Sequence, residues 1–153
     1  MDKIMQFQVI KKEEEINQLM KCNKVSIQYG LTLTLQDIEG LLETKQKILQ
    51  DVGRIEFDST ILQQMVYEFC DSLFIHKYNY VETMTQLLEI FYYYRDATED
   101  YLSDEEIIRY MKMAFDGCCQ GSLYYLSEEQ LNTLMDDLND RNDIYVGLAY
   151  GDI

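Results

Sequence analysis

Few side chains in this sequence are suited to chemistry, and their spacing argues against most of what they could do. There is one histidine, His76, and there are four cysteines, Cys22, Cys70, Cys118 and Cys119. A thiolate nucleophile needs a base within hydrogen-bond reach. His76 follows Cys70 by six residues, which on a helix is a rotation of about 600°, or about 240° net, so the two side chains face apart. Cys70 is therefore expected to be a buried structural thiol. Tetrahedral zinc is poorly served too, because Cys118 and Cys119 are adjacent rather than spaced Cys-x-x-Cys and a second histidine is missing. The run from Asp136 to Asp143 suggests a calcium loop, but no register puts oxygen ligands at loop positions 1, 3 and 5 with Gly at 6 and Glu at 12. It reads as a solvated acidic helix end. The sequence also lacks a Gly-x-Gly-x-x-Gly turn. No catalytic residue, metal or cofactor is expected, and the reading leans away from an enzyme.

Two cations and one aromatic group remain as candidates for binding. Lys45 falls inside an apolar helical stripe, where its stem would lie along the core edge with the ammonium reaching water; the sharper alternative is a buried ion pair or a ligand contact. Arg54 follows the helix stop Gly53. Tyr93 stands on a helix with Glu82, Gln86 and Glu89 beside it, pointing away from the apolar face. Ten of the thirteen tyrosines lie between Tyr67 and Tyr125. Tyrosine combines large contact area with a polar tip, which suits it to interfaces and equally to core borders.

The elements that must position these groups are helical. From Asp58 to Ile75 the apolar residues come in doublets four apart, Ile61/Leu62, Met65/Val66, Phe69/Cys70 and Leu73/Phe74. Such doublets sweep an arc of roughly 220°, far wider than the ~100° stripe of a helix wetted on one side. This stretch is the candidate central helix. Before it, 11–28 forms a helix on Ile16, Leu19, Met20 and Ile27 that Gly30 can cap in the left-handed conformation. Met1 to Ile10 fits strand or helix equally. Thr34 is a good N-cap for a helix on Leu35, Ile38, Leu41, Leu42, Ile48, Leu49 and Val52.

After the central helix, Asn79 with Glu82 resembles a capping box. In the helix it starts, Val81, Met84, Leu87, Leu88 and Phe91 share a face, with Tyr92 and Tyr94 at its borders. Two further start signals recur 24 residues apart, Ser103 with Glu106 and Ser127 with Gln130, each with a hydrophobic staple, Leu102 to Ile107 and Leu126 to Leu131. The first of these helices should bury Ile107, Ile108, Met111, Ala114, Phe115 and Cys118, and the second Leu131, Leu134, Met135 and Leu138. From Asn139 onward the chain is acidic and expected to be loosely held.

Composition bounds the class. At 153 residues without a proline, the chain suits one helix-rich domain. We expect an all-α, single compact bundle of about five or six helices spanning 1–153, with 1–10 and 142–153 loosely ordered. The net charge of −15 is uneven: 1–77 carries nine Lys/Arg against twelve Asp/Glu, and 78–153 four against sixteen, giving −3 and −12. Such a field repels phosphates, so no direct nucleic-acid binding and no membrane association are expected, and basic partners are favoured. The apolar residues near the N-terminus are interrupted by Gln6 and Gln8, unlike a signal peptide, and the cysteines show no secreted disulfide framework. A cytoplasmic location follows as an expectation.

Several stretches carry a resemblance: Tyr29-Gly30-Leu31, 53–57, Phe69-Cys70-Asp71-Ser72, Phe91-Tyr92, Met111-Lys112 with Phe115-Asp116, and Cys119-Gln120-Gly121-Ser122. Over Tyr29 to Met135 the chain resembles an uncharacterised bacterial family of small acidic helical proteins, a domain of unknown function. That resemblance implies a helical domain and carries no activity or substrate. Three readings of function stand on the residues themselves. The first is a non-catalytic protein-interaction module with an acidic, tyrosine-bearing surface, binding a protein partner or a second copy. The second is a small-molecule-binding protein or enzyme with a carboxylate- and tyrosine-lined pocket, and the third an acidic mimic of nucleic acid. A deep pocket would favour the second and a flat surface the first.

Overall fold

The structure is a computed structural model that describes residues 3–54, 56, 60–98 and 101–150, with backbone only for 4, 5, 7, 8 and 141–150. Among the described residues seven α-helices follow in order: α1 (Lys3–Ser26), α2 (Leu35–Asp51), α3 (Ile61–Phe69), α4 (Tyr80–Ala97), α5 (Asp104–Asp116), α6 (Leu123–Ser127) and α7 (Glu129–Tyr150). There is no strand among the described residues, and the fold is an all-α bundle.

The helix ends follow from local chemistry where local partners suffice. A turn of 3₁₀ helix, Ile27–Tyr29, closes α1, and Gly30 caps it at φ 76°. The ambiguous N-terminal stretch is helical from Lys3. Thr34 starts α2 through a reciprocal cap with Asp37, its hydroxyl accepting from the Asp37 N–H at 3.1 Å and its own N–H donating to Oδ2 at 2.9 Å. Ser103 and Glu106 do the same for α5, at 3.2 and 3.1 Å.

α4 begins directly after Asn79 as expected, but the capping bonds expected at Asn79 and at Ser127 are not made. Asn79 makes no cap; its side chain binds backward, accepting from the His76 N–H at 2.8 Å and donating to the Phe74 carbonyl at 3.1 Å. Ser127 starts no helix. It ends α6, with its hydroxyl donating to the Tyr124 carbonyl, while Gln130 turns to a tertiary partner, donating to Tyr110 Oη at 2.7 Å. Ser122 supplies the cap one turn earlier, accepting from the Tyr125 N–H. Because α5 stops at Asp116, the helical phase fails beyond it, and Cys119 is buried where Cys118 was expected.

The candidate central helix is shorter than its apolar pattern. Its start at Asp58 lies outside the described residues, and its end falls at Phe69, since Ser72 breaks the run by accepting from the Phe74 N–H and donating to Asp116 Oδ1. Leu73 consequently leaves the arc and is 97% exposed. The rest behaves as its breadth requires, with Ile61, Leu62, Met65, Val66 and Phe69 all buried against α1, α4 and α5. α4 shares the centre, packing on α2, α3, α5 and α6. It buries Tyr80, Met84, Leu87, Leu88, Phe91, Tyr92 and Tyr94, so the tyrosines expected at its borders lie inside. Each such side chain contributes ~1.5–3 kcal/mol on leaving water.

Narrower stripes on the flanking helices leave some expected core residues outside. Leu35 at the start of α2, Val52 just past its end, Met20 on α1 and Ile27 in the 3₁₀ turn are exposed. Met135 on α7 is half-buried.

Candidate interaction surface

The face of α4 that its neighbours leave open is one narrow stripe. Glu82, Glu89, Tyr93 and Asp96 are exposed and Gln86 half-buried, at spacings of four, three, four and three residues. On a helix that spacing forms one continuous row. Tyr93 is 54% exposed in the middle of it. Its neighbours in sequence face inward: Tyr92 donates to Glu56 Oε2 at 2.8 Å, and the Tyr94 hydroxyl donates to the carbonyl of Leu126. The row thus presents three carboxylates around one aromatic ring that no helix covers.

Arg54 joins the end of this row, with Nε 3.9 Å from Asp96 Oδ1. Beside it lies a polar network that sequence spacing did not suggest. Arg95 reaches Asp104 Oδ1 at 2.6 Å and Glu56 Oε1 at 3.5 Å, tying the segment after α2, the end of α4 and the start of α5 together. Burial pushes the Asp104 carboxyl above its ordinary range, with attraction to Arg95 opposing the shift. The partners are 39 residues apart in one pair, so no local pattern could have located them.

Lys45 belongs elsewhere. It is 7% exposed, and its ammonium pairs with Glu15 at 3.2 and 3.3 Å, so the buried ion pair replaces the water-reaching head. Leu19, Leu42, Leu62 and Gln63 complete a shallow notch around this pair, and none of them is on α4. Its empty volume is about 160 Å³, part of it open solvent.

The thiols and other titratable groups are structural in their surroundings. Cys70 is buried and its thiol donates to the Tyr67 carbonyl; burial pushes its pKa up, Asp71 adding to the shift. His76 is exposed. Cys118 donates to Gln130 Oε1 at 3.0 Å. Lys112 binds Asp71 at 2.5 Å and Asp116 at 3.0 Å. Burial pulls its ammonium down, but those two carboxylates outweigh it and hold the pKa above the usual lysine value. Among the described residues no group of three His, Cys, Asp or Glu could hold a metal ion, and no helix is long and apolar enough to cross a membrane.

No curated protein and no solved structure matches the chain. Residues 18–143 match the model of a family of unknown function, DUF6323, and the chain belongs to that family.

Proposed function

We propose that the chain is a non-catalytic protein-interaction module of the cytoplasm, whose acidic, tyrosine-bearing α4 row receives a basic surface of a protein partner. The observation that carries this reading is Tyr93, half out in solvent between Glu89 and Asp96 on a helix otherwise packed on four others. A rigid aromatic ring flanked by carboxylates matches what an interface anchor needs: contact area at low entropic cost and a charge that selects the partner. The central position of α4 fixes the row before any partner arrives. The shallow notch at Lys45 supports a binding role for the surface rather than for a ligand cavity. Four free thiols support a reducing compartment.

The test is capture of partners from the native host with the wild-type chain and with Tyr93→Ala, then titration of the purified partner. Tyr93→Ala should weaken the complex while the unfolding midpoint stays in place. Glu82→Gln and Glu89→Gln should flatten the salt dependence of association. Equal binding by all forms would reject the proposal.

A further inference from the structure

The turn after α5 sets two thiols side by side, outside the α4 row. The Cys119 thiol donates to the Cys118 sulfur, and the Cys118 thiol donates onward to Gln130 Oε1 at 3.0 Å. Gln130 is itself held in place, donating to Tyr110 Oη at 2.7 Å, while the Tyr110 hydroxyl donates to the Gln130 carbonyl at 3.3 Å. Both sulfurs also interact with Tyr94 and Tyr110, so the two side chains converge on one tyrosine pair. Cys118 is exposed and Cys119 only 5% exposed. The pair therefore runs from the surface inward.

The backbone of the turn is tied on every side. The Cys119 N–H reaches the Ala114 carbonyl at 2.9 Å, the Gly121 N–H the Phe115 carbonyl at 2.7 Å, and the Ser122 N–H the Cys119 carbonyl at 2.9 Å. Gln120 stands at φ 47°, the one non-glycine residue at positive φ among the described residues. These bonds hold it there against the crowding of its Cβ.

That geometry narrows what the two thiols can take. An ordinary disulfide joins Cα atoms ~4.4–6.8 Å apart, whereas neighbours across a trans peptide are ~3.8 Å apart, so a tied turn resists closing one. Tetrahedral zinc needs four ligands, and among the described residues no third His, Cys, Asp or Glu joins the pair. Zinc also needs thiolates, while burial and the Cys118 sulfur push the Cys119 thiol up to about 11. Two close, protonated thiols suit instead a neutral species in which one soft atom bonds both sulfurs and the thiol protons leave with its oxygen. A neutral ligand is also indifferent to the −15 charge of the chain.

We propose that Cys118 and Cys119 form a two-thiol site for a trivalent arsenical, whose arsenic bonds both sulfurs at once. Two S–H bonds and the arsenic–oxygen double bond break, two arsenic–sulfur bonds form, and the oxygen leaves with both protons as water. No oxidation state changes, so no oxidant or reductant is needed. Cys118, the exposed thiol, meets the arsenical first, and Cys119 closes the ring. The second bond is intramolecular and gains the effective concentration of a neighbouring sulfur.

Titration of the reduced full chain with phenylarsine oxide, read by intact mass and by thiol counting after denaturation, tests this. The expected result is one adduct per chain, with the thiol count falling from four to two. Ethanedithiol should remove the adduct, and mercaptoethanol at the same thiol concentration should not. Cys118→Ser and Cys119→Ser should each weaken binding by about a hundredfold or more, as loss of a chelate does. Cys118→Ser alters an exposed side chain and should keep the unfolding midpoint, so its loss of binding reports on the site rather than on the fold. Zinc chloride at equal concentration should not compete. A wild-type chain that takes no adduct, a Cys118→Ser protein that binds like the wild type, removal by mercaptoethanol, or displacement by zinc would each overturn the proposal.

Discussion

Tyr92 and Tyr93 are adjacent and do opposite things: Tyr92 is 2% exposed with its hydroxyl donating to Glu56 at 2.8 Å, while Tyr93 is 54% exposed on the outer row of α4. The relationship fixes the phase of the helix. Tyr92→Ala should therefore cost ~3–5 kcal/mol through the cavity it opens, with the Glu56 carboxylate losing a donor as well. Tyr93→Ala should change stability by no more than ~0.5 kcal/mol. Urea unfolding of both variants measures the difference, and equal losses would contradict the phase.

Phe69 has no exposed surface and meets the Phe115 ring edge-on at 5.7 Å between centroids. It joins α3 to α5 in the middle of the widest apolar arc. Phe69→Ala should lose ~3–5 kcal/mol, approaching the whole net stability of a small domain. A loss below ~1 kcal/mol on chemical denaturation would mean that α3 contributes little to the core.

Gly30 and Gly121 both sit at positive φ, 76° and 79°, but only Gly121 lacks room for a side chain. An alanine at Gly30 meets open space and bears only the left-handed strain, ~1–2 kcal/mol. At Gly121 the new methyl would lie 2.6 to 2.7 Å from the first atoms of the Phe74 side chain, which cannot swing away without moving its own backbone. Gly121→Ala should be the more damaging by at least ~1 kcal/mol. Matched thermal or urea unfolding of the two variants checks the order.

The four thiols should differ sharply in reactivity. Cys118 is exposed, whereas Cys22, Cys70 and Cys119 are buried. Burial raises all three buried thiols, and with Cys118 beside it Cys119 is pushed up to about 11. At pH 8 a thiol of that pKa is thiolate in only about one molecule in a thousand. A thiol-exchange reagent should titrate one fast equivalent in the native protein and four after denaturation, and Cys118→Ser should remove the fast one. Two fast native equivalents would contradict the packing of the turn after α5.

The apolar periodicity made the helices legible, and with them the inward Met84, Leu87, Leu88 and Phe91 and the outward Tyr93. The N-cap at Thr34 and the reciprocal cap of Ser103 with Glu106 could be read because the bonds they make lie within one turn. The same signal at Ser127 and Gln130 misled, since Gln130 finds Tyr110 and Cys118 in space and leaves the local cap unmade. Asn79 misled for the same reason, tying the loop behind it. Lys45 showed as an anomaly in an apolar stripe, but its partner Glu15 lies 30 residues away. The Glu56, Arg95 and Asp104 network left no trace in spacing. What fixes these groups is tertiary proximity, which periodicity does not encode.

The central claim is that Tyr93 on the acidic α4 row anchors a protein partner. Its most direct test is the dissociation constant of a partner captured from the native host, measured for the wild type and for Tyr93→Ala after confirming equal unfolding midpoints. The account predicts a loss on the order of 1–2 kcal/mol, about five- to thirtyfold in affinity. Unchanged affinity would contradict it and leave the row a solvated surface.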